Sequence, residues 1–274
     1  MENNKEALIK QSLNDTERFL EILDPTAEHF HFLVLDDAKS GRVSPAPFVG
    51  TFQENAELLK AKSSAGAGVF VAIQPHPKNK PRKKEFTSEI RTFLIDLDGA
   101  PLEPVLQKLT GAGLSPNMVV NTSPGKYHVY IKVSGCPLDQ YSMAQKALAA
   151  MFDGDPAVND LPRVARVPGF HHNKDPKNPF MVCLHSVGDS EPYQFKKIID
   201  RLGIQLVGNR KGTREKNPSA VLSGDEILEG SRNKDLFAIG RRLRGLGIAE
   251  EEIKAEMEKA NYERCNPSLD PSEV

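Results

Sequence analysis

The sequence predicts an α+β fold: one large mixed domain followed by a small helical unit. Three observations point to it. Strand-length apolar runs such as Phe93-Leu94-Ile95 and Met118-Val119-Val120 alternate with segments of helical spacing. A polar, basic, glycine-containing break then follows Val207. Beyond it only short helical patterns remain. At 274 residues and 30.2 kDa the chain has room for one large domain and an appendage. With 39% apolar and 27% charged residues, disordered and fibrous classes are excluded.

The elements run in order as follows. Leu8, Ile9, Leu13, Leu20 and Leu23 recur near helical spacing, and Pro25 closes that helix. His31 to Leu35 reads as a strand, Glu54 to Lys62 as a helix, and Val69 to Ile73 as a strand entering a basic loop. Arg91 to Leu97 is a strand, Pro104 to Leu109 a helix, and Asn117 to Asn121 and His128 to Val133 are strands. Leu138 to Phe152 is an amphipathic helix. A long loop follows, then strands near Phe180 to His185 and a helix from Phe195 to Leu202. Gly208, Gly212 and Pro218 break the chain from Val207 to Ser219. Asp225 to Leu228, Asn233 to Leu243 and Glu250 to Ala260 then read as three short helices. The predicted division is 1–206, a linker over 207–222, and 223–274. The ending Pro267 to Val274 is not a natural stop, so the chain is expected to continue. There is no internal repeat.

Charge and cysteine usage narrow the setting. The net charge of −1 hides two basic runs, Lys78, Lys80, Arg82, Lys83, Lys84 and Arg210, Lys211, Arg214, Lys216. Each reads as a solvated loop or as a phosphate-contacting surface. Cys136, Cys183 and Cys265 form no CxxC pair, so neither a zinc ribbon nor a disulfide framework is expected. No run is long enough to span a membrane and no signal-peptide core is present, so a reducing, cytoplasmic location is expected.

Three runs carry chemistry. In Phe93-Leu-Ile-Asp96-Leu-Asp98-Gly99, strand geometry puts Phe93, Ile95 and Leu97 on one face and Asp96 and Asp98 on the other. Neighbouring carboxylates repel unless a cation lies between them, and Mg²⁺ or Mn²⁺ suits oxygen ligands. The alternative is a plain strand end entering an Asp-Gly turn. In Ser123-Pro-Gly-Lys126-Tyr-His128-Val-Tyr130-Ile-Lys132, a tight loop can offer backbone N–H groups, a hydroxyl and an ammonium to an anion. His128 shares a face with Tyr130 and Lys132, away from apolar Val129 and Ile131, and is expected to be more than a satisfied core histidine. A plain hairpin is the alternative. The third run, Gly154-Asp155 through Asp160, Arg163 and Arg166 to Asn173-Lys174, offers a further carboxylate and then cations that suit a phosphate backbone. Its alternative is a long surface loop.

Taken in this order, the three runs resemble the archaeo-eukaryotic primase (AEP) superfamily, in its RepB-like primase–polymerase branch. The resemblance covers about Gly68 to Lys174, and the tail Glu229-Gly-Ser-Arg-Asn-Lys-Asp-Leu-Phe with Cys265-Asn-Pro resembles a primase C-terminal helical domain. It implies an RRM-like catalytic module packed on an N-terminal α/β unit. By motif, Asp96, Asp98 and Asp155 (or else Asp160) correspond to ligands of two divalent cations, Mg²⁺ or Mn²⁺. Ser123, Lys126 and the catalytic His128 correspond to triphosphate contacts. Arg163, Arg166, Asn173 and Lys174 fall in a segment around nucleotide or template. Arg82, Lys83, Lys84 and Arg91 are the expected nucleic-acid contacts.

The implied activity is template-dependent nucleotidyl transfer on single-stranded DNA with dNTPs or NTPs, with a fused or separate replicative helicase as a further partner. It would serve replication of a plasmid, phage or other mobile element. Two rivals start elsewhere. His29 and His31 could serve a rolling-circle-type nickase that would need Tyr141 as nucleophile. An RRM-like single-strand binder would need no catalysis, but leaves Asp96 and Asp98 unexplained.

Overall fold

The computed structural model describes residues 14–206, 227–230, 232–245 and 248–270. The chain divides into two compact units, Met1–Leu206 and Val207–Val274. The predicted linker over 207–222 lies outside the described residues.

The first unit opens with α1 (14–23), whose Phe19, Leu20 and Leu23 are buried. A four-stranded antiparallel sheet follows in the order β2 (Ala46–Gly50), β1 (Phe30–Asp36), β3 (Ala67–Ala72), β7 (Val164–Arg166). Pro47 sits in the edge strand β2, the place in a sheet where a residue without an N–H is tolerated. Between β2 and β3 lies α2 (Phe52–Ser64), started by a Thr51/Glu54 capping box.

The second sheet is built around β6 (Lys126–Ser134). It is flanked by β4 (Thr92–Asp98) and β5 (Met118–Ser123), both antiparallel to it; β10 (Cys183–Val187) lies outside β5. β11 (Tyr193–Gln194) adds in parallel at the end of β6. A two-residue ribbon, β8 (His171–His172) with β9 (Phe180–Met181), lies between β7 and β10 in sequence.

Both faces of the second sheet are buried. Phe93, Ile95, Leu97, Val129 and Ile131 pack under α3 (Leu102–Gly111), α4 (Leu138–Met151) and α5 (Phe195–Leu202). Leu94, Met118, Val120 and Tyr130 face the opposite way, into the core shared with α1, α2 and the first sheet. The face carrying Asp96, Asp98 and His128, which alternation sets apart from the apolar side, is therefore covered as well. It lies toward the first sheet and opens only at its end.

In the second unit α6 (Arg232–Gly245) and α7 (Glu250–Arg264) enclose a small core of Leu236, Ile239, Leu243, Ile253 and Ala260. A helix was expected over Asp225 to Leu228, but Ile227–Leu228 (β12) pairs in parallel with Cys265–Asn266 (β13). Burial of Ile227 against this core overrides the weak local helical preference.

Candidate active site

The register of β4 on β6 places Asp96 opposite His128 and Asp98 opposite Lys126. Lys126 Nζ contacts Asp98 Oδ1, and His128 Nε2 lies 3.6 Å from Asp96 Oδ1. The two pairs differ in exposure. The Asp98 and Lys126 side chains are 62% and 41% exposed, whereas that of His128 is 10% exposed. Lys126 holds the Asp98 carboxyl below its usual range, mainly by hydrogen bonding. Burial pushes His128 down, Asp96 opposes it, and nearby Arg166 and His172 add to the lowering. Tyr130 lies 3.4 Å from His128 Nδ1 through its hydroxyl, and burial raises its pKa.

Ser123 and Lys126 bracket the turn between β5 and β6, which Gly125 closes with φ of 73°. Nothing lies within 4 Å of a Cβ built on Gly125, so the glycine serves conformation and not close packing. Asp155 reaches the same end through the backbone: its N–H donates to the Asp96 carbonyl at 2.9 Å. Its side chain is turned to its own loop, with Oδ1 accepting from the Ala157 N–H at 2.8 Å. Among the described residues no three Asp, Glu, His or Cys side chains converge as a metal cage. Asp96 and Asp98, all-oxygen donors on one face, fit a hard divalent cation, and Asp155 is their neighbour.

The run from Arg163 to Lys174 divides. Lys174 acts on Asp98 electrostatically, so it belongs at the β4 end. Arg166 closes on Asp37, with Nη1 and Nη2 each 2.9 Å from a carboxylate oxygen, and lies over the Phe70 ring at 4.6 Å. Asn173 donates its side-chain amide to the Ser63 and Ala67 carbonyls, and its backbone N–H to Asp37 Oδ2 at 2.9 Å. Gly68 allows this: a Cβ there would lie 2.4 Å from Asp37 Oδ1. Arg163 is closed on Asp160, with Nε 2.7 Å from Oδ1, which also engages the alternative third carboxylate.

The expected nucleic-acid contacts divide too. Lys83 and Lys84 are exposed. Arg82 donates inward to the Pro162 carbonyl. Arg91 is a correction to the sequence reading: it pairs with Asp24 at 2.9 Å and donates to the Ile73 and Ala72 carbonyls at 2.8 Å. A guanidinium so enclosed ties α1 to the sheets and has no face left for a strand. The nickase arrangement does not form either. His29 and His31 donate Nε2–H to the His76 and Pro77 carbonyls, and Tyr141 is fully buried, stacked on Phe93.

Residues 36–207 match the model of the RepB DNA-primase N-terminal domain. The chain belongs to the RepB DNA-primase family. Residues 221–274 match Primase C terminal 1 (PriCT-1), so two primase modules follow one another. The fold is shared with primase RepB′ (TM-score 0.55, 20% identity, covering 90% of this chain and 86% of that one). It is shared also with the AEP domain of the cyanophage S-2L primase–polymerase (0.56, 14%, 69% and 97%). The catalytic domain of primase RepB′ in complex with initiator DNA gives 0.51 at 23% identity, covering 70% and 93%. No curated protein matches the chain. Among the described residues no helix is long and apolar enough to cross a membrane.

Proposed function

We propose that this RepB-family primase is a template-dependent nucleotidyl transferase, a DNA primase–polymerase that makes and extends primers on single-stranded DNA. The observation that carries the reading is the β4–β6 register, which brings two carboxylates, an ammonium and an imidazole to one end of one sheet. The RepB′ relative bound to initiator DNA supports DNA as the partner.

Asp96 and Asp98, with Asp155 beside them, would hold Mg²⁺ or Mn²⁺, two ions in the full site, which supply activation of a 3′-hydroxyl and neutralisation of the leaving pyrophosphate. Lys126 is half exposed and, among the described residues, its ammonium pairs only with exposed Asp98, so it can pass from that carboxylate to a triphosphate oxygen at small cost. The buried His128 adds a donor flanked by Asp96 of β4 at Nε2 and by Tyr130 of β6 at Nδ1. Ser123 and the turn's N–H groups complete the anion-facing set. Much of the catalysis is then positioning and charge placement. Lys83 and Lys84 are the exposed cations for a template strand.

The test is incubation with labelled nucleotides, a single-stranded template and Mg²⁺ or Mn²⁺. Template-dependent products are expected. Nicking without nucleotides, or binding with no divalent-dependent synthesis, would overturn the reading.

A further inference from the structure

One histidine at this end is unused by the chemistry above. His172 lies in β8, half-buried, with Nδ1 3.0 Å from the Thr122 carbonyl. A carbonyl only accepts, so the ring proton is on Nδ1 and the lone pair is on Nε2. Among the described residues nothing is bonded to Nε2. Thr122 directly precedes Ser123 of the anion-facing turn, so the anchor ties this ring to the mouth of the site.

The charged groups facing His172 come from each neighbouring element: Arg166 of β7, Asp37 beyond β1, Lys174 beyond β8, and His128 of β6. Burial lowers its pKa first, then Arg166; the Thr122 bond and Asp37 oppose, and Lys174 adds to the lowering. The ring's position is imposed by its neighbours. Asn173, the next residue, is fixed by its backbone bond to Asp37 and its side-chain bonds to Ser63 and Ala67. The bond from Nδ1 to Thr122 and the fixed backbone at Asn173 leave Nε2 as the ring nitrogen with an open valence among the described residues.

We propose that His172 is a catalytic residue whose Nε2 accepts from a sugar hydroxyl at the reacting end of the site. This inference rests on the primase–polymerase reading. Two hydroxyls share that chemistry, the 3′-hydroxyl of the primer and a hydroxyl of the incoming nucleotide. In the first case the hydroxyl proton passes to Nε2 as its oxygen bonds to the α-phosphorus. The bond from that phosphorus to the bridging oxygen breaks, and its electron pair leaves with pyrophosphate. The imidazolium then returns its proton to water. In the second case no proton is transferred and the bond holds the sugar.

Two variants separate the cases, measured as kcat and nucleotide KM on a preformed primer. His172→Ala removes both base and acceptor, whereas His172→Gln keeps an acceptor but no base. A primer-hydroxyl base predicts that kcat falls about 100-fold or more in both variants, with KM changed less than about twofold. A nucleotide-sugar contact predicts KM raised about tenfold in His172→Ala and restored in His172→Gln. Wild-type kcat and KM in both folded variants would overturn the proposal. So would long-range ¹⁵N–¹H NMR of the unmodified protein showing the proton on Nε2, a result independent of activity. An inactive wild type whose ring carries the Nδ1 proton overturns the primase reading instead.

Discussion

Two charged arrays of the first unit are built on opposite plans. At the β4–β6 end, Asp96, Asp98, Lys126 and His128 meet in single, long or exposed contacts. Around Asp37, both carboxylate oxygens, the Arg166 fork and the Asn173 amide are closed on one another, with Asp37 4% exposed. Closed valences hold a fold in one shape, and open ones are available to a substrate. The Arg91–Asp24 group belongs with the closed plan. Positive charge in a primase sequence is therefore a poor guide to function until its partners are known.

Breaking the open array should cost activity and little else. Asp96→Ala with Asp98→Ala is expected to lower nucleotide incorporation at least about 1,000-fold, with far-UV circular dichroism unchanged. Near-wild-type synthesis by that protein would remove the central assignment. Breaking the closed array should cost stability first, and with it the seat of His172. Asp37→Ala strands the Arg166 guanidinium in a buried position and is expected to cost about 3–5 kcal/mol of stability, read from the urea midpoint. A midpoint shift under about 1 kcal/mol would show that the clamp is not structural.

Smaller effects sharpen the contrast. Lys126→Ala should remove a charge-assisted contact of about 1.5–3 kcal/mol, raising nucleotide KM about 10- to 150-fold at unchanged thermal midpoint. An unaltered KM would return the Ser123–Lys126 turn to a plain hairpin. Acid should act on the buried histidines His31 and His76. Burial lowers His31 and His76 from their ordinary value of 6.5, so the unfolded chain binds protons that the folded chain refuses. Stability is then full above about pH 6.5 and lost as pH falls through the folded values. Thermal midpoints at about pH 8 and about pH 5.5 should differ by several degrees; identical midpoints would contradict it.

Much of the open array is legible in the sequence, because period-two alternation reports faces directly. Phe93, Ile95 and Leu97 against Asp96 and Asp98 is such a case, and the Ser-Pro-Gly turn fixes where β6 starts. The closed array is not legible. Asp37 looks like any acidic residue after a strand, and its partner is 129 residues away. β7 and β8, of three and two residues, are too short to show a period. Alternation also cannot reveal a second layer: it places His128 away from apolar Val129 and Ile131 but does not show what covers that face. Its true surroundings come from the first sheet, which is laid over that face by contacts distant in sequence.

The pairing of Asp37 with Asn173 spans 136 residues, and this has a consequence for the protein as it is being made. A ribosome adding about 5–20 residues per second leaves Asp37 without its partners for roughly 7–27 s. Late in that interval, once Ser134 has been added, β4 and β6 can already pair, because Asp96 and His128 both precede Asn173 in order of synthesis. The carboxylates therefore emerge before the segment that seats His172 and Lys174 beside them. A nascent chain stalled between β6 and that segment carries Asp96 and Asp98 without the residues that close around Asp37.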